Sequence, residues 1–232
     1  MEQSSNAKSH HKKEGKVKEA FKDIMPLSFG EEVGNAVSHG VPAFILLFFL
    51  PYAAVASYIQ DGALKSTSVS IYIISIMLMF LSSAVYHSMS TSSPQKYIMR
   101  IIDHSMIYIA ICGTYTPIAL SLVGGWLGWV IMGVQWGITI WGIVYKSTAK
   151  NVNHKLSLSM YLIMGWMGVL MLPSIINKTS LLFMLFILFG GISYTIGAWF
   201  YAQKDKKYFH MIWHFFILIA SIFHFIAIMY FM

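Results

Sequence analysis

The sequence predicts an all-α integral membrane protein, a bundle of seven transmembrane helices with a cytoplasmic N-terminus and a C-terminus outside. Composition is the first observation behind this prediction. Of the 232 residues, 57% are hydrophobic and only 11% are charged, and the mean hydropathy is +0.64, far above the range of soluble domains. The second observation is that the apolar residues fall into separate stretches of about 20 residues, the length that a helix needs to cross the hydrocarbon.

The apolar stretches divide the chain into spans and short polar loops. We predict spans at 34–58, 68–89, 101–123, 126–145, 157–176, 180–201 and 208–231. They form one transmembrane domain, 28–232, of a multi-pass protein of the cell membrane. The preceding segment, 1–27, is predicted to be a basic, disordered cytoplasmic tail. It has no apolar core followed by small residues, so we expect no cleaved signal peptide.

The distribution of basic residues predicts the orientation, because cytoplasmic loops retain positive charge. Fourteen lysine and arginine residues lie on one side of the predicted spans, whereas only Lys65 and Lys178 lie on the other. We therefore place the N-terminus inside. The fourteen are Lys8, Lys12, Lys13, Lys16, Lys18 and Lys22 before span one, Lys96 and Arg100 after span two, Lys146, Lys150 and Lys155 after span four, and Lys204, Lys206 and Lys207 after span six.

Histidines at the cytoplasmic ends of the spans suggest a metal site. His210 and His214 begin span seven, and their spacing of four residues puts both imidazoles on one helix face. On the predicted topology, His87 at the end of span two and Asp103 at the start of span three lie at the same depth. Three imidazoles with a nearby carboxylate are typical of zinc in an open site, which has three protein ligands and a water.

Two residues are candidates for work on that water. Ser83 precedes His87 by four residues, so its hydroxyl can face the same site. Asp103 could accept a proton from the water or orient it. Without a metal, the histidines could instead be interfacial anchors and Asp103 could pair with Arg100, so both interpretations stay open here. The pattern is not that of an H-E-x-x-H metalloprotease, since Met211 occupies the position of the glutamate.

A second polar stripe lies on span one. Glu32, Asn35 and His39 share one helix face that should point into the bundle. They could line an entrance or a proton path, or they could only hydrogen-bond to a neighbouring helix. Glu31 and Glu32 also complement the dipole at the start of a helix, which favours a supporting role over metal ligation.

Several other site classes find no support. The single cysteine, Cys112, excludes an intramolecular disulfide, and the sequence contains no phosphate loop, nucleophile elbow or C-x-x-C motif. The basic tail suits an anionic lipid leaflet, and we expect no nucleic-acid partner. His224 lies ten residues beyond His214, about 15 Å along a helix, which is too far to share its metal ion.

The polar motifs together resemble a known family. In chain order they are Glu31-Glu32-x-x-Asn35-x-x-Ser38-His39, Ser83-x-x-x-His87, Asp103-His104-Ser105, Gly113-Thr-Tyr-Thr-Pro117 and His210-x-x-x-His214. They resemble the hemolysin III family of bacteria, a branch of the progestin and adiponectin receptor superfamily that is more distantly related to alkaline ceramidases. The resemblance implies seven helices with the N-terminus inside. It also implies zinc held by His87, His210 and His214, with Asp103 and Ser83 close to the bound water.

Three functional hypotheses follow. The first is a zinc-dependent hydrolase of amide bonds in a membrane lipid, with Asp103 and Ser83 as catalytic residues. The second is a non-enzymatic protein of membrane homeostasis or sensing, in which zinc is structural. The third is the cytolysis implied by the family name, although a secreted toxin needs a soluble state that this hydrophobic chain does not favour. Membrane lipids are the expected partners in each case.

The charge distribution makes the orientation testable. A reporter fused after Met232 should be active only outside the cytoplasm, and one fused before Met1 only inside, because fourteen basic residues flank the inner side and two the outer. Reporter activity in whole cells measures both. A cytoplasmic C-terminal reporter would contradict the predicted topology.

Overall fold

A computed structural model describes residues 27–91, 93–149, 152–203 and 205–232. All regular structure in these residues is helical, which confirms the all-helical fold class. Six helices are long and apolar enough to cross a membrane, as expected of a multi-pass membrane protein. The predicted tail, apart from its last residue, and Lys150 and Lys204 of the charge count lie outside the described residues.

The helices follow one another with short connections. We number the helices α1 to α7 and give the irregular segments by their residues. They are α1 (Phe29–Ser88), α2 (Pro94–Pro117) with the π-helical segment Ile118–Val123, α3 (Gly125–Thr148), α4 (His154–Trp166) with the 3-10 segment Met167–Met171, α5 (Leu172–Ile175), α6 (Leu181–Ala202), and α7 (Phe209–Ile226) with the π-helical segment Ala227–Phe231.

Local sequence signals explain where these helices begin. Ser28 and Glu31 form a capping box at the start of α1, each satisfying a backbone N–H of the other. Asn153 and Ser180 accept backbone hydrogen bonds at the starts of α4 and α6. Pro94 opens α2, where a missing N–H costs no intrahelical hydrogen bond.

Helix α1 is 60 residues long and folds back on itself. A straight helix would separate residues 32 and 87 by roughly 80 Å, yet the Glu32 and His87 side chains are 2.6 Å apart. The reversal occurs at Asp61 and Gly62, where the backbone is not helical and Gly62 has φ +71°, which favours glycine. The first arm, 29–60, and the second arm, 63–88, are therefore antiparallel.

The second arm lies at the centre of the bundle. Val69, Tyr72, Ile73 and Ile76 are almost completely buried and follow helical spacing along the arm. On its other flank, the first arm exposes a run of large apolar side chains, as does α3, which suits contact with lipid tails. The central position of the second arm carries His87 to the interior end of the bundle where α7 begins.

Candidate metal centre

The start of α7 is tied to the start of α1 through Glu31. One Glu31 carboxylate oxygen accepts a hydrogen bond from the Tyr208 backbone N–H at 2.6 Å. The other accepts from the backbone N–H and the hydroxyl of Ser28, at 3.0 and 2.6 Å. Tyr208 is the one non-glycine residue among those described with a left-handed φ, +64°. This connection sets the position of the first turn of α7, which carries His210 and His214.

Three imidazoles converge where α7 meets the second arm of α1. The Nε2 atom of His210 lies 3.4 Å from His87 Nε2 and 3.2 Å from His214 Nε2. One nitrogen from each of the three rings lies within 4.8 Å of the others. His87 and His214 are buried and His210 is partly buried. The spacing of four residues on α7 and the reversal of α1 together produce this cluster.

The spacing of the nitrogens fits a metal ion. In a tetrahedral zinc site with bonds of about 2.0–2.1 Å, neighbouring ligand nitrogens lie about 3.3–3.4 Å apart. The two Nε2 separations of 3.4 and 3.2 Å are close to that value. Neutral imidazole nitrogen is also a common ligand of transition metals. His87, His210 and His214 could therefore hold a metal ion.

A buried ionic chain orients the first of these rings. His87 Nδ1 lies 2.6 Å from Glu32 Oε2. Because an ionised carboxylate can only accept, Nδ1 carries the hydrogen and the Nε2 lone pair points into the cluster. The other Glu32 oxygen accepts from Lys96 Nζ at 2.6 Å, and Lys96 also donates to the Met89 carbonyl at 2.9 Å. This position gives Glu32 the supporting role that was favoured from the sequence.

His39 and His214 form the inner wall of the cluster. Their rings stack with centroids 3.9 Å apart and planes 20° apart. His214 Nδ1 lies near the Asn35 backbone carbonyl but has no hydrogen bond of good geometry among the described residues. Both ring nitrogens of His39 also lack such a partner. The polar stripe of the first arm thus packs directly against the candidate ligands.

Ser83 and Asp103 lie beside the histidine cluster. They line the cavity next to it, and the Ser83 hydroxyl donates a hydrogen bond to the Asp103 carboxylate. Asp103 does not belong to the group of nitrogens that lie within 4.8 Å of one another. The three predicted ligands are thus brought together, with the two predicted catalytic residues on the adjoining wall. The roles of Ser83 and Asp103 stay predictions.

The cavity extends from the cluster into the apolar part of the bundle. Its volume is about 110 Å³, several times what one water molecule requires. It follows α2 from Asp103 to Tyr115 and α7 from Trp213 to His224, a depth of roughly 16–18 Å at the helical rise. Its walls are mainly apolar, whereas Ser83, Asp103 and His39 are polar groups at the end near the cluster. The arrangement suits an amphiphile whose polar end lies at the metal centre.

Sequence reasoning did not identify Lys96 as part of the site. It was counted only as a loop charge, yet its side chain is completely buried against Glu32. No spacing pattern in the sequence connects positions 32 and 96, because their contact depends on how α1 and α2 pack. The only general signal was that a lysine in a short loop next to a membrane span can fold inward when a carboxylate is available.

Comparisons with known proteins agree with the site. A family model described as "Haemolysin-III related" matches residues 27–225. The chain is 33% identical over 201 residues to a "Hemolysin-3 homolog" of Bacillus subtilis (strain 168), covering 87% of this chain and 94% of the relative. It is also 33% identical over 202 residues to "Hemolysin-3" of Bacillus cereus, covering 87% and 91% of the two chains.

A more distant relative comes from Homo sapiens. It is named "Monocyte to macrophage differentiation factor" and is 26% identical over 207 residues, which cover 85% of this chain and 83% of the relative. No solved structure matches the chain significantly.

The ionic chain makes a stability prediction. Lys96→Met removes the cation that pairs with Glu32 and leaves a largely buried carboxylate with one partner fewer. We expect a loss of the order of 3 kcal/mol, seen as a lower Tm of the detergent-purified protein. Lys206→Met is the control, because Lys206 is exposed and donates to the exposed Gln203.

A double variant separates charge from packing. Adding Glu32→Gln to Lys96→Met should recover part of the lost stability, because the unpaired buried charge is removed. Equal Tm values for Lys96→Met and Lys206→Met would contradict the buried chain.

Proposed function

We propose that this chain, which belongs to the haemolysin-III-related family, holds zinc at His87, His210 and His214 and hydrolyses an amide bond in a membrane lipid. The observation that carries the proposal is the position of the three converging nitrogens at one end of a mainly apolar cavity. A lipid chain in that cavity would present its polar end to the centre.

The donor set favours zinc. Three imidazole nitrogens with no carboxylate oxygen in the same ligand group are typical of catalytic zinc sites that keep one position for water or substrate. Magnesium and calcium prefer sets of oxygen ligands, which this group does not provide. Glu32 supports the choice, because a carboxylate that fixes the ring of a ligating histidine is common beside zinc.

Each protein group has a defined task in the proposed reaction. When bound, the metal ion polarises a carbonyl and makes water acidic near neutral pH. Asp103 accepts the proton of the attacking water and returns it to the departing amine, while the Ser83 hydroxyl holds the carboxylate in place. Glu32 keeps the hydrogen of His87 on Nδ1. The apolar cavity walls hold the acyl chain and exclude bulk water.

The cavity has a lateral side suited to lipid entry. Trp166 on α4 and Thr195 on α6 both line the cavity and are exposed. The Trp166 indole N–H donates to the Thr195 hydroxyl at 3.1 Å across the two helices. A single side-chain hydrogen bond of this kind is weak compared with a packed helix interface. A lipid substrate would enter between α4 and α6 without leaving the bilayer.

The membrane topology belongs to the same proposal. The two arms of α1 are each longer than the roughly 30 Å of hydrocarbon at 1.5 Å per residue, and they reverse direction at Gly62. We count them as two spans, so the bundle has seven, with the N-terminus inside and the C-terminus outside. The metal centre then lies at the cytoplasmic side of the cell membrane.

One alternative also has an observation in its favour. The histidine cluster connects the second arm of α1 to α7, so a metal ion there would crosslink two helices and could be purely structural. The protein would then sense or adjust the bilayer without turnover. Cytolysis is the activity named for two relatives. This chain has a mean hydropathy of +0.64, which is unfavourable for a soluble, secreted toxin.

The ligands and the proton acceptor should respond differently to substitution. Replacing His87, His210 or His214 by alanine removes a nitrogen that binds the metal directly, so each variant should lose most of its zinc and some thermal stability. Asp103→Asn keeps the shape but removes the base. It should retain zinc, with an affinity loss of at most roughly 10- to 100-fold, and lose all hydrolysis of lipid amides.

Three measurements decide the outcome. Zinc content by plasma emission, Tm, and release of fatty acid from lipid amides are compared for purified wild type and variants. Histidine variants that keep a full equivalent of zinc would show that the ligand assignment is wrong. An Asp103→Asn variant without zinc would make Asp103 a ligand. Zinc in the wild type with no change in any lipid amide would favour the structural alternative.

A further inference from the structure

The cavity has a second polar cluster at the end away from the metal centre. His224 on α7 and Tyr194 on α6 line this end, and the Tyr194 hydroxyl lies 2.9 Å from the Ser221 hydroxyl. The centroids of the His224 and Tyr194 rings are 5.5 Å apart. His224 is ten residues beyond His214, about 15 Å further along the helix. The cluster is therefore separate from the candidate ligands.

A glycine on α6 makes room for the His224 ring. A Cβ at Gly190 would collide with the ring, whereas a Cβ at the next residue, Gly191, would meet only Trp166 at ordinary contact distance, 3.9 Å. The close approach brings His224 Nε2 to 3.2 Å from the Ile187 backbone carbonyl. Because a carbonyl only accepts, Nε2 carries the hydrogen and, in the neutral ring, Nδ1 is an acceptor.

This acceptor is unused within the protein. His224 Nδ1 is buried and has no hydrogen-bond partner among the described residues. Between it and the polar end near the metal centre, the cavity wall is apolar, formed by Ile107, Ala110, Ile111 and Ile217. An unpaired acceptor inside hydrocarbon is unfavourable, so its position on a cavity wall points to a donor supplied by a ligand.

We propose that the cavity binds a lipid chain that carries a hydroxyl group near its middle, and that this hydroxyl donates to His224 Nδ1. The Tyr194 and Ser221 hydroxyls lie beside the position and can accept or donate to the same group. A hydroxyl is the donor that suits this depth, because an ammonium group would be a charge in the hydrocarbon. The inference rests on the proposed function for the placement of the polar end of the lipid at the metal centre.

The test uses two radiolabelled probes, octadecanoic acid and the same acid with one hydroxyl at mid-chain, bound to the full-length protein in nanodiscs. Wild type should bind the hydroxylated probe about tenfold more tightly, as expected for one hydrogen bond at a buried acceptor. His224→Phe keeps an aromatic ring but has no acceptor, so it should bind both probes with the affinity of wild type for octadecanoic acid.

Two glycine variants provide a matched pair. Gly190→Ala displaces the His224 ring and should abolish the preference, whereas Gly191→Ala, in which the added methyl has space, should keep it. Tm measurements identify any variant that fails to fold. A preference abolished equally by both alanines, with both variants folded, would contradict the role of the His224 ring position.

The outcomes separate this inference from the proposed function. Equal wild-type affinity for the two probes, or a preference that survives in His224→Phe, would overturn the inference and leave a water molecule as the partner of Nδ1. A zinc-loaded protein that prefers the hydroxylated probe but cleaves no lipid amide would overturn the hydrolase and support the hydroxyl site. Absence of binding of either probe to wild type would overturn the inference directly.

Discussion

The hydrocarbon layer supplies no hydrogen-bond partners, and this constraint explains the arrangement of nearly every polar group described above. Lys96 and Glu32 are buried as a pair, and Glu32 in turn holds His87. Glu31 similarly accepts hydrogen bonds from the starts of α1 and α7. The buried histidine nitrogens that lack a protein partner lie on rings that line the cavity or belong to the candidate metal centre. Their unused hydrogen-bonding capacity is thus available to a metal ion or to a lipid.

The metal centre depends on chain reversals as much as on ligand chemistry. The break at Gly62 returns the second arm of α1 alongside the first, which brings His87 back to the level of Glu32. The loop before α7 is held to the start of α1 through Tyr208, and this places His210 and His214 opposite His87. Three segments that are far apart in the sequence are therefore fixed relative to one another at the polar end of a mainly apolar cavity. That combination suits chemistry on the polar end of a lipid.

Much of this arrangement could be predicted from the sequence, because hydropathy and helical spacing are local properties. The long apolar helices, the shared face of Glu32, Asn35 and His39, and the pairing of His210 with His214 all follow from such patterns. The inward position of Lys96 and the accommodation of His224 by Gly190 do not. Each of these depends on which helix faces which and at what height, and periodicity identifies a buried face without identifying the neighbour that covers it. The cavity itself is a property of three or more packed helices, so no single segment predicts it.

The central claim is that one metal ion joins the second arm of α1 to α7 through three imidazoles. X-ray absorption at the zinc edge of the purified protein tests it most directly, because the spectrum reports the kind, number and distance of the atoms around the metal. We expect a first shell of nitrogen and oxygen atoms at about 2.0–2.1 Å without sulfur, and multiple scattering that corresponds to three imidazole rings. Protein purified without zinc, or a spectrum that is unchanged when His87 is replaced by alanine, would contradict the account.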